Sequence, residues 1–221
     1  MISAQVFRFW KGSEGRISRF HNEKGYFALG SFEDIRDCGI SLASTSARIL
    51  FQYRPRRPWI SMKAFRFLRR HLPPDATVFE WSSGTSTLWF EDRCREVHAV
   101  EDNREWFEFV RKQVKRADVQ FKTGEQYVSA IHAFPDNHFD VISIDGSHRL
   151  ACFEAAHRHL KPGGILLIDN TDKDQKERGE IWRMDQEIER ASNYQVHRFP
   201  GWLHGNWAPI ETTICIHRGA K

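Results

Sequence analysis

Two apolar runs of the chain end in side chains that could hold a metal ion. Asp145 follows the run VISI at residues 141–144, and Asp169 and Asn170 follow the run ILLI at residues 165–168. If both runs are neighbouring parallel strands, these side chains meet at one edge of the sheet. Two carboxylates and an amide oxygen form a hard-oxygen cluster of the kind that Mg²⁺ prefers. The alternative is that Asp145 binds a ligand amino group or caps a helix, and that Asp169 and Asn170 only shape a loop.

His148 could act as a general base beside this cluster. It lies three residues after Asp145, in the segment IDGSH. An imidazole that is neutral near pH 7 can accept the proton of a hydroxyl group. The chain contains 11 histidines, so a capping or core histidine is the alternative at this position. We therefore take His148 and Asp145 as the candidate catalytic residues.

A turn of small residues further upstream could cradle a ligand. Glu80 ends an apolar strand, and Ser82, Gly84 and Ser86 follow it before a helix begins. Small residues let the backbone approach a ligand, and free N–H groups at a helix start can donate to it. Glu101 ends the next strand, 21 residues after Glu80, and a carboxylate there suits the two hydroxyls of a ribose. The alternatives are an ordinary tight turn and a helix cap.

The elements that position these side chains alternate along the second part of the chain. Candidate strands span residues 77–81, 96–100, 119–122, 139–144, 165–169, 194–199 and 212–217. Apolar stripes at helical spacing lie between most of them. This alternation predicts βαβ units and a mostly parallel sheet. The last two strands are joined without a helical stripe, which predicts an antiparallel edge pair.

The connection between the last two strands, residues 200–210, is rich in aromatic residues. Trp202, His204 and Trp207 lie in it. Aromatic side chains in a loop at this edge could stack on a planar or sugar substrate. The alternative is that the tryptophans pack under the edge of the sheet.

The order of these segments resembles the class I S-adenosylmethionine (SAM)-dependent methyltransferases over about residues 60–221. The first motif of that family resembles E-x-G-x-G-x-S, and here it reads EWSSGTS, with Ser82 where the family usually has glycine. Further likenesses are VQFKTGEQYV, FDVISIDGSHR and LKPGGILLIDN. The catechol-type and sugar O-methyltransferases are similar around the segment IDGSH. Uncharacterised bacterial and plant relatives have a first motif similar to FEWSSGTSTLW.

The resemblance implies a Rossmann-like α/β fold, with a seven-stranded, mostly parallel sheet, helices on both faces and an N-terminal extension. It implies that SAM is bound by Glu80, Ser82, Gly84, Ser86, Glu101, Gly124, Glu125 and Asp145. It also implies that Asp145, Asp169 and Asn170 hold Mg²⁺ if the protein uses a divalent cation, with His148 as the base. The expected reaction moves a methyl group from SAM to a hydroxyl of a small molecule.

Charged residues are unevenly distributed along the chain, so binding to a nucleic acid is an alternative function. Residues 1–74 carry 14 Lys and Arg against 5 Asp and Glu, whereas residues 75–221 carry 19 against 24. A basic arm can meet a polyanion, so a nucleic-acid methyltransferase is one alternative. The segment after the fourth strand reads DGSH, however, and not the (Asn/Asp/Ser)-Pro-Pro-(Tyr/Phe) motif of many such enzymes, so we do not expect a nucleic acid partner. A non-catalytic binding protein that retained the fold is the second alternative.

Composition and length bound the organisation of the chain. We expect residues 1–53 to form an extension without a clear element pattern, and residues 54–221 to form the methyltransferase domain. No apolar run reaches the ~18 residues of a membrane span, and the N-terminus lacks the apolar core of a secretory signal. The four cysteines form no CxxC pair. This spacing indicates free thiols and a cytoplasmic location.

Overall fold

A seven-stranded sheet organises the part of the chain that the computed structural model describes, residues 16–219. Its strands are β1 (Thr77–Trp81), β2 (Glu96–Glu101), β3 (Asp118–Phe121), β4 (Phe139–Ile144), β5 (Leu160–Ile168), β6 (Tyr194–Leu203) and β7 (Asn206–His217). They lie in the order β3-β2-β1-β4-β5-β7-β6. Strands β1 to β5 pair in parallel, and β7 runs antiparallel between β5 and β6. The predicted fold class, Rossmann-like α/β with a mostly parallel sheet, is confirmed.

Seven α-helices and one 3₁₀ turn accompany the sheet within residues 16–219. The helices are α1 (Phe32–Phe51), α2 (Met62–His71), α3 (Thr85–Glu91), α4 (Arg104–Arg111), α5 (Glu125–Val128), α6 (Arg149–Ala156) and α7 (Glu180–Arg190), and the 3₁₀ turn spans Ser129–Ala133. In this described part, no helix combines the length and the apolar content that a bilayer span requires. The prediction about a secretory signal concerns the first residues of the chain, and residues 1–15 lie outside the described part.

The central strands are apolar on both faces because helices cover both faces. Successive residues of a strand point to opposite sides of the sheet. Val78 of β1 accordingly packs with α2 and α3, whereas Phe79 packs with α6 and α7. Leu167 and Leu166 of β5 divide between the same two clusters. This burial on both faces explains why the strand sequences read as nearly continuous apolar runs.

The antiparallel edge pair is longer than the sequence predicted. Strands β6 and β7 continue through residues 200–210, so the expected long connection is a two-residue turn at residues 204–205. Trp202 is fully buried and its Nε1 donates to the carbonyl of Ala28 at 2.6 Å. Trp207 stacks beside it, with ring centroids 6.2 Å apart. These tryptophans therefore pack under the sheet edge, which was the alternative to a role in binding a substrate.

Helix α1, which the sequence pattern did not predict, is attached to the domain by polar contacts. Asp34 and Asp37 are each 1% exposed. Asp34 pairs with Lys63 at 2.7 Å, and Asp37 pairs with Arg66 at 2.6 Å. Ser41 Oγ donates to the carbonyl of Leu203 at 2.7 Å. The face of α1 that lies on the domain is thus polar and charged.

Candidate functional site

A cavity opens at the carboxyl ends of β1 and β4, where ligands bind in parallel α/β sheets. Its volume is about 140 Å³, below the roughly 300–1,000 Å³ of common ligand pockets. The residues that line it come from four separate segments of the chain: Arg54, Trp59, Glu80, Trp81, Ser82, Ser83, Gly84, Thr85, Ser86, Trp106, Ser143 and Asp145. Five predicted site residues, Glu80, Ser82, Gly84, Ser86 and Asp145, are therefore brought together here.

The turn after β1 has a backbone conformation of the kind that usually requires glycine. Ser82, the position at which the sequence departs from the family's glycine, has a φ of 87°. L-residues rarely adopt this region, and glycine adopts it freely. Gly84 donates its N–H to Thr87 Oγ1 at 3.0 Å, which fixes the start of α3. The strained serine keeps the shape of the motif although its residue type differs.

Glu101 braces this turn from beneath and does not line the cavity. Its Oε2 accepts the Ser83 N–H at 2.8 Å, and its Oε1 accepts the Asn103 N–H at 3.0 Å. Asn103 caps α4 by accepting the Trp106 N–H at 2.9 Å. The helix cap is therefore Asn103 and not Glu101. Glu101 Oε2 also accepts from the hydroxyls of Ser83, at 3.2 Å, and Ser82, at 3.4 Å. The role of Glu101 toward a ribose stays a prediction, since Oε1, with one donor, keeps a further acceptor site.

Arg54 and Trp106 form a wall of the cavity that sequence reasoning did not assign. Trp106 Nε1 donates to the carbonyl of Ser83 at 2.6 Å, which holds the indole over the turn. The Arg54 guanidinium lies 5.4 Å from the Trp106 ring and 6.0 Å from the Trp59 ring. Thr85 Oγ1 also donates to the carbonyl of Arg57 at 2.8 Å. Residues 54–59 therefore lie over the turn and form part of the cavity wall.

Glu80 carries a buried carboxyl group with spare acceptor capacity. It is 2% exposed, and its Oε2 has no hydrogen-bond partner within the described residues. Burial raises the pKa of Glu80 to about 7, and the charge of Asp145 adds to the rise, whereas hydrogen bonds from Thr87 and Ser86 oppose it. A buried acceptor without a partner is costly. A cationic ligand group in the cavity would remove that cost.

Asp145 is held at the cavity edge by an arginine from the next helix. Arg149 Nη2 donates to Asp145 Oδ1 at 3.1 Å and to its carbonyl at 2.8 Å. Arg149 also donates to the carbonyls of Gly146, at 2.9 Å, and Asp169. Enclosure by the cleft raises the pKa of Asp145 and Arg149 opposes this rise, although 42% of the side chain is reached by water. One guanidinium therefore ties together the ends of β4 and β5.

Asp169 and Asn170 follow β5, next to the end of β4 as the sequence predicted, but both carboxylate oxygens of Asp169 bond to protein groups. Asp169 is 2% exposed, and its Oδ1 accepts from Thr212 Oγ1 at 2.6 Å. Its Oδ2 accepts from the Asn170 amide. Burial, and then the charge of Asp145, raises the pKa of Asp169 well above its usual range.

These contacts do not fit a metal site as they stand. Both Asp169 oxygens and one Asp145 oxygen have donors, and a permanent positive charge on Arg149 sits where a cation would be repelled. Across residues 16–219, no cluster of three or more His, Cys, Asp or Glu side chains is arranged to hold a metal ion. The divalent cation stays a prediction that chelation can test.

His148 lies three residues after the cavity residue Asp145, does not line the cavity itself, and is exposed. It is the N-cap of α6 with a left-handed φ of 53°, and its side chain makes no capping hydrogen bond. Its ring lies 6.3 Å from the ring of Tyr127. The predicted capping and core alternatives do not describe this side chain, which is accessible to a substrate.

Gly124 and Glu125 lie away from these residues. They begin α5 after β3, and neither lines the cavity. Gly124 has a φ of 57° and space for a ligand, since nothing lies within 4 Å of a Cβ built on it. Their predicted role in binding adenine stays a prediction.

Gly146 is required by the buried hydroxyl of Tyr127. A Cβ on Gly146 would lie 2.0 Å from Tyr127 Oη and 3.2 Å from Ser82 Cβ. We expect Gly146→Ala to lower the free energy of unfolding by about 1–3 kcal/mol, as overpacking does. Urea unfolding measures this change. Combining Gly146→Ala with Tyr127→Phe, which removes the clashing oxygen, is expected to restore most of the loss.

Two control variants test whether the clash at Gly146 causes the loss of stability. Gly30→Ala is the matched control, because a Cβ at Gly30 meets its nearest atom only at 3.6 Å. It should leave the free energy of unfolding within about 0.5 kcal/mol, as for most surface changes. If Tyr127→Phe gives no recovery, the clash with the hydroxyl is not the cause of the loss.

Comparison with known proteins agrees with this geometry. Residues 81–171 match the model of a family described as a methyltransferase domain. This stretch of the chain is thus similar to a methyltransferase domain. The matched region begins at the end of β1 and ends just after Asp169 and Asn170. It therefore includes the turn, Glu101, Asp145 and His148.

Solved structures share the fold of this chain at low sequence identity. The O-methyltransferase from Bacillus cereus in complex with SAH is 17% identical, with a TM-score of 0.61 over 82% of this chain and 90% of that one. The O-methyltransferase TomG from Streptomyces achromogenes, involved in tomaymycin synthesis and bound to SAM, is 14% identical, with a TM-score of 0.62 over 81% and 90%. Spermidine synthase from Thermotoga maritima is 18% identical, with a TM-score of 0.51 over 67% and 55%. No curated protein sequence matches significantly. These likenesses establish the fold, whereas the reaction has to be argued from the site.

Proposed function

We propose that this protein transfers a methyl group from SAM to a hydroxyl of a small molecule. The observation that carries the proposal is the Glu80 carboxyl, which is buried at the cavity with an unpartnered oxygen. SAM supplies a methyl group on a positively charged sulfur and also carries an ammonium group. A buried acceptor of this kind fits a cationic ligand, and the SAM and SAH complexes of fold neighbours support the choice.

The chain's own residues would bind and orient the donor. Glu80, Ser82, Gly84, Ser86 and Asp145 line one side of the cavity. The brace from Glu101 holds the turn rigid, so that little of the binding energy is lost to ordering it. Arg54 and Trp106 lie across the opposite wall and would exclude water once the ligand is enclosed.

His148 and Asp145 would act on the acceptor. His148 is exposed three residues after the cavity residue Asp145, and its side chain makes no capping hydrogen bond. Its imidazole would remove the acceptor hydroxyl proton. Asp145 is only partly covered and would orient the acceptor or the donor from the cavity edge. Methyl transfer needs the two reactants in line, so positioning supplies much of the rate.

The site favours transfer without a divalent cation. Arg149 already neutralises Asp145, and Thr212 and Asn170 already satisfy Asp169. A cation would have to share these oxygens with three hydrogen bonds and stand beside a guanidinium. The cation-dependent mechanism that the resemblance implied is therefore the second candidate.

A methyl-transfer assay with chelation separates the two mechanisms. With SAM labelled in its methyl group and a library of small hydroxyl compounds, we expect turnover that excess EDTA leaves unchanged. The Asp169→Asn variant keeps an acceptor for Thr212, so it should retain most of the activity. If Asp169 is instead a required metal ligand, the variant should be as inactive as the chelated wild type. If EDTA abolishes turnover and leaves donor binding intact, the cation-dependent mechanism is supported.

The alternative functions have their own observations and tests. Two arginines of the basic N-terminal region are engaged within the protein: Arg66 pairs with Asp37, and Arg57 stacks at 4.8 Å on Phe65. We therefore expect no retention on RNA or DNA at ~150 mM salt, near the physiological ionic strength. A protein that binds neither SAM nor SAH in calorimetric titration is no methyltransferase, and the non-catalytic alternative would then stand.

A further inference from the structure

Exposed apolar side chains are concentrated on one short stretch of the chain. Of the eleven large hydrophobic residues that are exposed within residues 16–219, eight lie between residues 32 and 53. Phe32 is 85% exposed, Leu50 71% and Phe51 77%. The full set is Phe32, Ile35, Ile40, Leu42, Ile49, Leu50, Phe51 and Tyr53. Most of them belong to α1.

Helix α1 is inverted relative to an ordinary surface helix. Such helices place an apolar stripe on the core and polar residues in water. Here Asp34, Asp37 and Ser41 face the domain and bond to it, whereas the apolar residues face outward. Attachment through ion pairs leaves this apolar face free for a partner.

The outward face has the spacing of a helix–helix seam. Phe32, Ile35, Gly39, Leu42, Ser46 and Ile49 follow one another at alternating intervals of three and four residues, and all six are exposed. This is the spacing of the core positions of a coiled coil. Two small residues, Gly39 and Ser46, alternate with large ones. A partner helix with large residues opposite these small ones would interlock with the seam.

We propose that this seam pairs with the same seam of a second copy of the chain, the two α1 helices running antiparallel. With a twofold axis between residues 40 and 41, Gly39 faces Leu42 of the other copy, and Ser46 faces its Ile35. Phe32 then faces Ile49. Every large residue thus meets a small or apolar one, and each contact occurs twice, as an isologous interface requires. This self-complementarity singles out a second copy among the candidate partners.

The apolar area is sufficient for such a dimer. Large side chains bury about 150–250 Å² each, so the exposed fractions of the four large seam residues, Phe32, Ile35, Leu42 and Ile49, leave on the order of 500 Å² accessible on each copy. The largest apolar patch on a typical monomer is about 300–600 Å². Pairing two seams would bury on the order of 1,000 Å² of apolar side chain in total, which is the area that a specific interface has to reach.

The chemistry of α1 argues against a lipid surface as the occupant. Interfacial helices are rich in Lys and Arg on their polar face, and α1 has no lysine. Its two arginines are engaged with the protein: Arg36 pairs with Asp37 at 3.0 Å, and Arg48 Nε donates to the carbonyl of Gly205 at 2.6 Å. Binding to anionic vesicles is therefore an outcome that would contradict the proposal.

The first test uses the full chain and one charge in the seam. We expect a dimer at micromolar concentration by sedimentation velocity, and Leu42→Arg should weaken it by at least about 100-fold, as for a residue central to an interface. Leu42 is 47% exposed, so the substitution should not unfold the protein. At concentrations at which both proteins are monomers, the variant and the wild type should have the same thermal midpoint. Ile17→Arg, at a site 71% exposed outside the seam, is the matched control and should leave the dimer intact.

The second test fixes the orientation of the helices. Ile35→Glu and Ser46→Lys should each weaken the dimer. Combined, they should restore it, because the antiparallel register places each new carboxylate against a new ammonium group of the other copy. Within one copy the two positions lie about 16 Å apart along the helix, too far to pair. A monomer at ~100 μM, a dimer insensitive to Leu42→Arg, or a monomer that binds anionic vesicles would overturn the proposal.

Discussion

Replacing His148 with asparagine is expected to slow methyl transfer by about 10²–10⁴-fold, the usual cost of losing a general base. Asparagine is the sharper choice because it tolerates the left-handed backbone of this position, with its φ of 53°. Alanine would add a conformational cost there. The side chain makes no capping bond, so removing the imidazole should leave α6 intact and the affinity for SAM unchanged.

The pH dependence separates a base from a structural residue. An acceptor hydroxyl that ionises by itself needs no base, so the rate of the His148→Asn variant should partly recover at high pH. His71, on α2 and away from the cavity, is the matched control, and His71→Asn should keep full turnover. Initial rates with labelled SAM measure both. An unchanged rate in the His148 variant would remove it from the mechanism and leave positioning as the only contribution of this loop.

Glu80 should make both stability and donor binding depend on pH. Burial raises the pKa of its carboxyl to about 7 in the folded chain, from an ordinary value of 4.5. Between these two values the folded chain holds a proton that the unfolded chain has released, so the free energy of unfolding falls as pH rises. The whole change is about 3 kcal/mol at 1.36 kcal/mol for each pKa unit. Below pH 4.5 and above pH 7, Glu80 adds no further slope.

A glutamine at this position removes the titration. Glu80→Gln should reduce the fall in stability between pH 4.5 and 7 by about 3 kcal/mol, which urea unfolding at several pH values measures; the raised pKa values of Asp145 and Asp169 leave a fall of the same sign in the variant. Glu91 provides a contrast, because three backbone N–H groups outweigh its burial and lower its pKa. Glu91→Gln should therefore lose stability at neutral pH, where Glu80→Gln should not. A wild-type stability that is flat across this window would contradict the assigned state of Glu80.

Binding of SAM should reverse this effect, since a positive charge in the cavity favours the ionised carboxylate. Below about pH 7, binding should release a proton, which calorimetry in two buffers of different ionisation enthalpy detects. At pH 8 we expect Glu80→Gln to weaken the donor by about 10- to 100-fold, as for a lost charged hydrogen bond. Equal affinities and no proton release would show that the donor's charge lies elsewhere.

The fold could be predicted because its signals are local. Strands β1, β4 and β5 are buried on both faces, so their apolar runs appear directly in the sequence. The turn from Glu80 to Ser86 follows the first of these runs, and Asp145 and Asp169 follow the others. Parallel pairing then forces the three strand ends to one edge of the sheet.

Helix α1 escaped prediction because its apolar residues face outward. Periodicity finds a helix by the stripe that it turns to the core. The core side of α1 is formed by Asp34, Asp37 and Ser41, whose partners lie in α2 and at the end of β6. The sequence around α1 contains no signal that predicts those partners.

By itself, then, the sequence determined the order of strands and helices and the residues at the strand ends, because both follow from burial and from chain direction. Only the tertiary structure decided what those residues bond to. Thr212 reaches Asp169 through the antiparallel pairing of β5 and β7, 43 residues further along the chain. Arg54 and Trp106 meet over the turn from segments that share no local pattern. Side-chain partners at such distances depend on strand register and helix packing, and these arise only when the whole chain is folded.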